Sequence, residues 1–371
     1  MAGLTTPAKR RRPQFHTLTV AETERLTDDA VAVSFVIPPE LREAFAFEPG
    51  QHLTLRATID GDDVRRSYSI CRSPADATAR GELRVAAARV EAGVMSNWLN
   101  DAVAAGDEVQ VMEPMGTFVT PQASGPRHHV AIAAGSGITP VMSLLTAALE
   151  GNEDDTATLI FGNRRTNSIM FLEELADLKN RYPQRFRLIN VLSREAQDAE
   201  LLSGRLDAAR LRRILTSLVP VATGDEWYLC GPFGMVEAAQ QVLGEFGVDT
   251  SHVHFEIFHV DEPGARPARR IIVEEGAPPQ ARVTVNLDGR STVVDMPSVE
   301  ETILDATLRA RPDAPFSCTG GVCGTCRARV VAGEVRMDRN YALEPDEVAA
   351  GIVLACQSHP VSDQVTLDYD A

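Results

Sequence analysis

Cys318-Thr-Gly-Gly-Val-Cys323-Gly-Thr-Cys326 places three thiols on one short loop, and Cys356 follows with 29 residues between. Thiolates at C-x4-C-x2-C…C spacing are the donor set of a plant-type [2Fe–2S] centre. Two bridged irons need four thiolates on little backbone. Thr319, Gly320, Gly321, Gly324 and Thr325 let that backbone curl, with N–H groups free to turn toward sulfur. Two other readings are a zinc site and a disulfide pair. Zinc sites usually pair two short C-x2-C knuckles, and this chain has one such knuckle. A [2Fe–2S] centre passes single electrons, so the rest of the chain should supply a source for them and a route out.

The elements that must position these groups fall into three parts. Residues 15–125 read as short strands: Val31–Ile37, Gln51–Ile59, Arg65–Ile70, Leu83–Val90 and Glu108–Met112. Gly and Pro punctuate them, which predicts an antiparallel β-barrel. Residues 126–260 change rhythm. Strands are expected at His129–Ala134, Thr158–Phe161, Phe186–Leu192, Trp227–Cys230 and Val253–Phe258. Helices are expected between them at Ile138–Glu150, Ile169–Arg181, Ala208–Leu218 and Met235–Phe246. That alternation predicts an α/β domain with a parallel sheet covered on both faces. Residues 261–280 are rich in Pro, Gly and Arg and suit a linker. Residues 281–371 hold the cysteine loop. They predict a hairpin around Asp288-Gly289, a helix over Glu300–Arg311 and a strand over Arg327–Val331, a β-grasp pattern.

Composition narrows the class. A length of 371 residues suggests two or three domains, and 44% hydrophobic residues suffice for their cores. Six cysteines in so long a chain do not make a secreted disulfide scaffold. There is no long apolar run for a membrane span and no signal-peptide stretch, so a cytoplasmic protein is expected. A net charge of −16 argues against a nucleic-acid partner. Lys9-Arg10-Arg11-Arg12 is a basic exception within residues 1–14, read as a solvated tail.

Nucleotide-binding signals lie in the first two parts. Gly135-Ser136-Gly137-Ile138-Thr139-Pro140 joins the first parallel strand to its helix, where backbone can approach a diphosphate at a helix N-terminus. It is shorter than the full G-x-G-x-x-G, and an ordinary Gly-rich turn is the other reading. Cys230-Gly231-Pro232 ends a later strand, on the side where open α/β sheets bind ligands. Buried cysteines are usually packing residues. Arg164, Arg165, Ser193 and Arg194 also follow strand ends, and a guanidinium there suits a 2′-phosphate. In the barrel, Arg66-Ser67-Tyr68-Ser69 sets Arg66 and Tyr68 on one strand face. Gly93-Val94-Met95-Ser96 precedes a helix expected over Asn97–Val103 and forms a second candidate anion site. The eight histidines read as structural or surface groups.

In order, R-x-Y-S, G-x-x-S, G-S-G-I-T-P, C-G-P and the cysteine loop resemble the ferredoxin–NADP reductase family with a C-terminal ferredoxin domain. The resemblance covers the chain from about Phe15 onward. It implies FAD, NADPH and a [2Fe–2S] cluster as cofactors. By the same resemblance, Arg66 would bind the FAD diphosphate, Tyr68 would pack along the flavin, and Ser69 would bond near flavin N5. Gly93 to Ser96 would hold FAD phosphate. Gly135 to Gly137 would hold NADPH, Thr139 would sit between flavin and nicotinamide, and Cys230 and Gly231 would border the nicotinamide. Cys318, Cys323, Cys326 and Cys356 would bind iron. Ser69, Thr139 and Cys230 are thus the expected catalytic residues. Ser67, Pro140, Arg164, Arg165, Ser193, Arg194 and Pro232 are further expected cofactor contacts.

Hydride donors give two electrons and such clusters take one, so a flavin between them would divide the pair. The resemblance implies a multi-subunit di-iron oxygenase as acceptor, acting on an aromatic acyl-CoA. A second expectation is the reductase of another oxygenase, such as a steroid hydroxylase. A third, from another class, is a redox sensor. Relatives without a ferredoxin domain often end in an aromatic residue that shields the flavin. Here the chain continues through Phe255-Glu-Ile-Phe258, so the shielding group stays open.

Overall fold

The computed structural model describes residues 13–121, 125–258 and 279–371. The basic tail, and all but the last two residues of the expected linker, lie outside them. The chain forms two compact units. The first contains both nucleotide-motif lobes, and the second contains the cysteine loop.

The first lobe comprises β1 (Phe15–Thr27), β2 (Ala30–Val36), β3 (His52–Ile59), β4 (Asp62–Ser69), α1 (Pro74–Arg80), β5 (Glu82–Ala88), α2 (Val94–Asp101) and β6 (Glu108–Met112). Its antiparallel sheet runs β4-β3-β6-β1-β2-β5. The sheet curls until Ile70, just past β4, bridges Val85 of β5, so its two edge strands protect each other. Leu18, Val33, Phe35, Leu53, Leu55, Val85 and Val111 fill the interior. Two elements differ from expectation. β1 is a 13-residue strand, a segment whose run of Thr and Glu hides its alternation. Ser73-Pro74 starts α1, with the Ser73 side chain accepting from Asp76 N–H, and Gly81 ends it at φ 68°.

The second lobe comprises β7 (His128–Ala134), α3 (Ile138–Gly151), β8 (Thr156–Asn163), α4 (Leu172–Arg181), β9 (Phe186–Leu192), α5 (Ala208–Ser217), β10 (Glu226–Gly231), α6 (Phe233–Glu245) and β11 (Val253–Ile257). The sheet is wholly parallel, in the order β11-β10-β7-β8-β9. The strand order reverses between β7 and β10, which opens a crevice at their carboxyl ends. α4 begins three residues later than its periodicity suggested. Ile169, Met170 and Phe171 instead pack into the core, with Phe171 at φ 60°.

The two lobes share apolar contacts. Ala32, Cys71, Ala86 and Phe118 from the first join Val141, Leu144 and Leu145 of α3 in one cluster. Polar links reinforce this: Ser143 Oγ donates to the Arg72 carbonyl at 2.8 Å, and Arg84 reaches Glu174 at 3.2 Å.

The second unit comprises β12 (Ala281–Leu287), β13 (Arg290–Met296), α7 (Ile303–Ala310), β14 (Arg327–Ala332), β15 (Val335–Met337), α8 (Pro345–Ala349), β16 (Ile352–Leu354), β17 (Ser358–Pro360) and β18 (Gln364–Asp368). Its main sheet runs β13-β12-β18-β14-β16, with β12 and β18 parallel at the centre. This is a β-grasp sheet with α7 packed on it. Asp288 and Gly289 both take positive φ, as a tight hairpin requires. α7 is shorter than expected because Thr302 caps it, accepting from Asp305 N–H. No helix among the described residues is long and apolar enough to cross a membrane.

Candidate functional site

The cysteine loop is held open by backbone conformation. Thr319, Gly321 and Gly324 all have φ between 52° and 81°, which turns the chain back on itself twice. None of the six cysteines forms a disulfide. The three loop thiols and Cys356 lie in two neighbouring pairs, Cys318 with Cys323 and Cys326 with Cys356. Two neighbouring pairs of thiols are the donor set that two bridged irons require.

The thiols differ: Cys323 is pushed well up by its Cys318 partner and by burial, and Cys326 well up by its Cys356 partner and by burial, whereas Cys318 moves the other way. The bond from Cys323 and the N–H groups of Gly320, Val322 and Cys323 bring the Cys318 thiol down to about 6. Cys326 and Cys356 are buried, and Ala355 N–H donates to the Cys326 carbonyl at 3.1 Å, tying the distant cysteine to the loop. Gln357 Nε2 donates to the Thr319 carbonyl at 2.8 Å.

In the other unit, three strands converge on Ser69. The buried Ser69 hydroxyl donates to Glu256 Oε2 at 3.0 Å. Glu256 comes from β11 of the opposite lobe and pairs in register with Cys230. Burial raises the Glu256 carboxyl to about 7, against the lowering effect of the Ser69 bond. Burial, and then Glu256, push the Cys230 thiol well up. His52, opposite Ser69 in the sheet, lies 3.8 Å from Glu256 through Nδ1. Reading the sequence missed Glu256 and set His52 aside as structural. The available signal was Glu256 itself, the only acidic residue in an otherwise uncharged or weakly basic strand that continues the ligand-binding sheet.

The raised carboxyl has a consequence for stability. Glu256 titrates at 4.5 when unperturbed and at about 7 when folded. Its stabilising contribution is therefore complete below the lower value and is lost as pH rises through the upper one. Glu256→Gln should melt higher relative to wild type as pH increases across that window. A wild-type-to-variant difference in Tm that stays flat with pH would contradict this.

The remaining residues divide. Arg66 is exposed and its guanidinium donates to the Arg65 carbonyl at 2.7 Å. Tyr68 is close enough to feel the charge of Arg66. Ser67 Oγ pairs with Thr54 Oγ1 at 3.2 Å. α2 starts at Val94 rather than at the expected Asn97, and its N-cap, Gly93, offers no side-chain cap. The N–H groups of Val94, Met95 and Ser96 thus lie in an open first turn, where an anion is favoured. A Cβ at Gly93 would meet Ser96 Oγ at 2.6 Å, so glycine gives Ser96 its place.

Around β7, Gly135 is exposed, with φ 55° and open space around it, and Ser136 is half-buried. Gly137 is different. A Cβ there would lie 2.1 Å from the Cys230 carbonyl oxygen, so this glycine lets α3 approach β10. Gly137→Ala is expected to destabilise the fold by about 1–3 kcal/mol through overpacking, and an unchanged denaturation midpoint would refute that packing role. Thr139 is buried, with its hydroxyl on the Ser136 carbonyl at 3.0 Å, and Pro140 sits in the first turn of α3. Gly231 ends β10, and Pro232 is the N-cap of α6. Arg194 N–H donates to the Arg164 carbonyl at 2.8 Å, and Ser193 N–H to the Asn163 carbonyl at 2.9 Å, which joins the β8 and β9 ends. Arg164, Arg165 and Arg194 are exposed there, and no ion pair holds any of them among the described residues.

Three family descriptions match along the chain: oxidoreductase FAD-binding domain over residues 17–120, oxidoreductase NAD-binding domain over 131–241, and 2Fe-2S iron-sulfur cluster binding domain over 285–361. One component of the 1,2-phenylacetyl-CoA epoxidase of Escherichia coli K12 is 43% identical over 96% of this chain and 98% of that protein. The chain belongs to the ferredoxin–NADP reductase family, in the branch with a C-terminal [2Fe–2S] domain. The ferredoxin reductase component of the Rhodococcus rhodochrous 3-ketosteroid-9-alpha-monooxygenase is 34% identical over 95% of this chain and 96% of its own. Phthalate dioxygenase reductase shares the fold, with a TM-score of 0.58 at 23% identity over 95% of this chain and 98% of that one. This reductase is therefore an oxidoreductase that uses FAD, NAD(P)H and a [2Fe–2S] cluster. Its residues fit those groups. Four thiols stand in two pairs, an uncapped helix N-terminus lies in the barrel lobe, and the exposed guanidinium groups of Arg164, Arg165 and Arg194 rim the parallel sheet.

Proposed function

We propose that this reductase draws electrons from NADPH and delivers them to a multi-subunit di-iron oxygenase, the phenylacetyl-CoA epoxidase, in the cytoplasm. The likeness to the Escherichia coli epoxidase component over nearly the full length of both chains carries this reading. When bound, FAD and the cluster supply the conversion of one two-electron donation into two single-electron deliveries.

The chain's own residues supply position and protons. Arg66 and the N–H groups of Val94 to Ser96 would hold the FAD diphosphate. Tyr68 would pack along the ring system. Ser69 would present its hydroxyl beside flavin N5, backed by Glu256. Gly135, Ser136 and the start of α3 would take the NADPH diphosphate, with Cys230, Gly231 and Pro232 bordering the nicotinamide. Thr139, buried under that turn, would fix its shape. Cys318, Cys323, Cys326 and Cys356 would hold the irons, two thiolates to each.

Arg164, Arg165 and Arg194 would favour NADPH over NADH by pairing its 2′-phosphate. A hydrogen bond to a charged group is worth about 1.5–3 kcal/mol, or roughly 10–100-fold in affinity. Arg194→Ala is expected to raise the KM for NADPH by about tenfold and leave that for NADH nearly unchanged. An unaltered NADPH/NADH preference would remove Arg194 from this role.

The 34% identity to a ketosteroid monooxygenase reductase supports a second reading, delivery to a steroid-oxidising oxygenase. Reconstitution separates the two. The loaded reductase is mixed with NADPH, oxygen and purified oxygenase subunits from the same source, with phenylacetyl-CoA or a 3-ketosteroid as substrate. Epoxide that depends on the reductase supports the first reading. NADPH oxidation with an artificial acceptor but no epoxide discards the epoxidase as partner.

A further inference from the structure

Beyond the carboxyl ends of β8 and β9, a glutamate stands among the exposed arginines. Arg164, Arg165 and Thr166 follow β8, and Ser193, Arg194 and Glu195 follow β9. The ladder continues past the strands. Ser193 N–H donates to the Asn163 carbonyl at 2.9 Å, and Arg194 N–H to the Arg164 carbonyl at 2.8 Å. The next step along both segments brings Glu195 to the short turn Thr166–Ser168.

A carboxylate beside guanidinium groups finds its strongest partner in one of them. Glu195 turns to Thr166 instead. Its Oε2 accepts from Thr166 N–H at 2.9 Å, and its Oε1 from the Thr166 hydroxyl at 2.7 Å. An ionised carboxylate only accepts, and here one residue occupies both oxygens. The turn that carries Thr166 is braced. Ser168 Oγ accepts from Arg165 N–H at 3.0 Å and donates to the Arg165 carbonyl at 2.7 Å, and Ile169 N–H returns to the Thr166 carbonyl at 3.1 Å. The electrostatics agree with the geometry. The Thr166 N–H, then its hydroxyl, and only last the nearby charge of Arg165, draw the Glu195 carboxyl below its usual range. Glu195 is thus a charged group within the field of Arg165 whose bonds go elsewhere.

We propose that Thr166 is a specificity-determining positioning residue, which sequesters the Glu195 carboxylate and so leaves Arg164, Arg165 and Arg194 open to a 2′-phosphate. Without the Thr166 hydroxyl, Oε1 loses its donor and the carboxylate can swing to a guanidinium. It would then compete with the cofactor for the same charge. Thr166 touches no reacting atom and acts through Glu195. The inference rests on reading the three arginines as partners of the NADPH 2′-phosphate.

Binding tests it without turnover. The FAD-loaded protein is titrated calorimetrically with ADP-ribose and with 2′-phospho-ADP-ribose, which differ only in that phosphate. Thr166→Val keeps the side-chain shape and the backbone N–H and removes one donor. It should weaken 2′-phospho-ADP-ribose by roughly 3–5-fold, the scale of an exposed ion pair, and hold ADP-ribose within about twofold. The loss should shrink as salt rises. Adding Glu195→Gln to Thr166→Val should restore wild-type affinity, because the amide carries no charge with which to compete. The KM for NADPH should follow the same pattern, with the rate of flavin reduction at saturation held. A loop merely disturbed by valine would weaken both probes and would not be rescued. An unchanged ratio of the two affinities in Thr166→Val, or a ratio that Glu195→Gln fails to restore, overturns the proposal. A wild type that binds both probes equally refutes instead the NADPH reading on which it stands.

Discussion

Cys326→Ser is expected to lose the cluster and all delivery to the oxygenase while leaving the flavin half of the molecule working. Cys326 is buried, pairs with Cys356, and carries the carbonyl that anchors Ala355. Serine cannot replace a thiolate toward iron at this position without changing both donor and loop. Removing even the outer partners of metal ligands costs about 10–100-fold, so losing a ligand should cost at least about 100-fold in oxygenase-coupled turnover. NADPH oxidation with an acceptor that takes electrons from flavin should stay within about twofold of wild type, because the FAD-binding and NAD-binding lobes form a separate compact unit. The readouts are visible absorption of the cluster and the two turnover rates. Coupled turnover near the wild-type rate would show that electrons leave by another route.

Ser69→Ala is expected to slow flavin reduction by about 100-fold, at the lower end of what positioned proton-transfer groups contribute. Its hydroxyl links the barrel lobe to Glu256 at 3.0 Å, and alanine leaves that carboxyl without a donor. The pH dependence should change as well. Glu256 holds its proton until about 7 in the folded protein, so the wild-type rate should carry an inflection near there. Ser69→Ala should displace the inflection upward, because the Ser69 bond lowers the Glu256 value and its loss removes that restraint. Stopped-flow reduction by NADPH across the neutral range measures both effects. A wild-type rate with an unmoved inflection would remove Ser69 from the site.

Much of this architecture is legible in the chain. Cysteine spacing names the cluster because two bridged irons impose a fixed loop. The parallel sheet is legible because its strands are continuous apolar runs, such as Val130 to Ala133, each followed by a helical period. Helix boundaries were less legible. Thr302 begins α7 by a side-chain bond to Asp305, and periodicity does not register such a bond. Ile169 to Phe171 carry helical spacing but serve the core, because tertiary burial overrides local pattern there.

The site was legible only where a motif is contiguous. Ser69 and Cys230 stand in short recognisable strings. Glu256 and His52 do not: they meet Ser69 only after β11 from one lobe and β3 from the other come together. Gly137 shows the converse. Its motif suggested a phosphate turn, and the motif does not reveal that its missing side chain also accommodates the Cys230 carbonyl.

Anaerobic reduction of the fully loaded protein by NADPH, followed by electron paramagnetic resonance of the cluster, tests the central claim most directly. Electrons passing from NADPH through FAD to the four-cysteine centre should bleach the visible absorption of the cluster and produce the signal of a reduced [2Fe–2S] centre. Both should be absent when FAD is stripped and return when it is restored. NADPH oxidation that leaves the cluster oxidised, or cluster reduction that proceeds without FAD, would contradict the account.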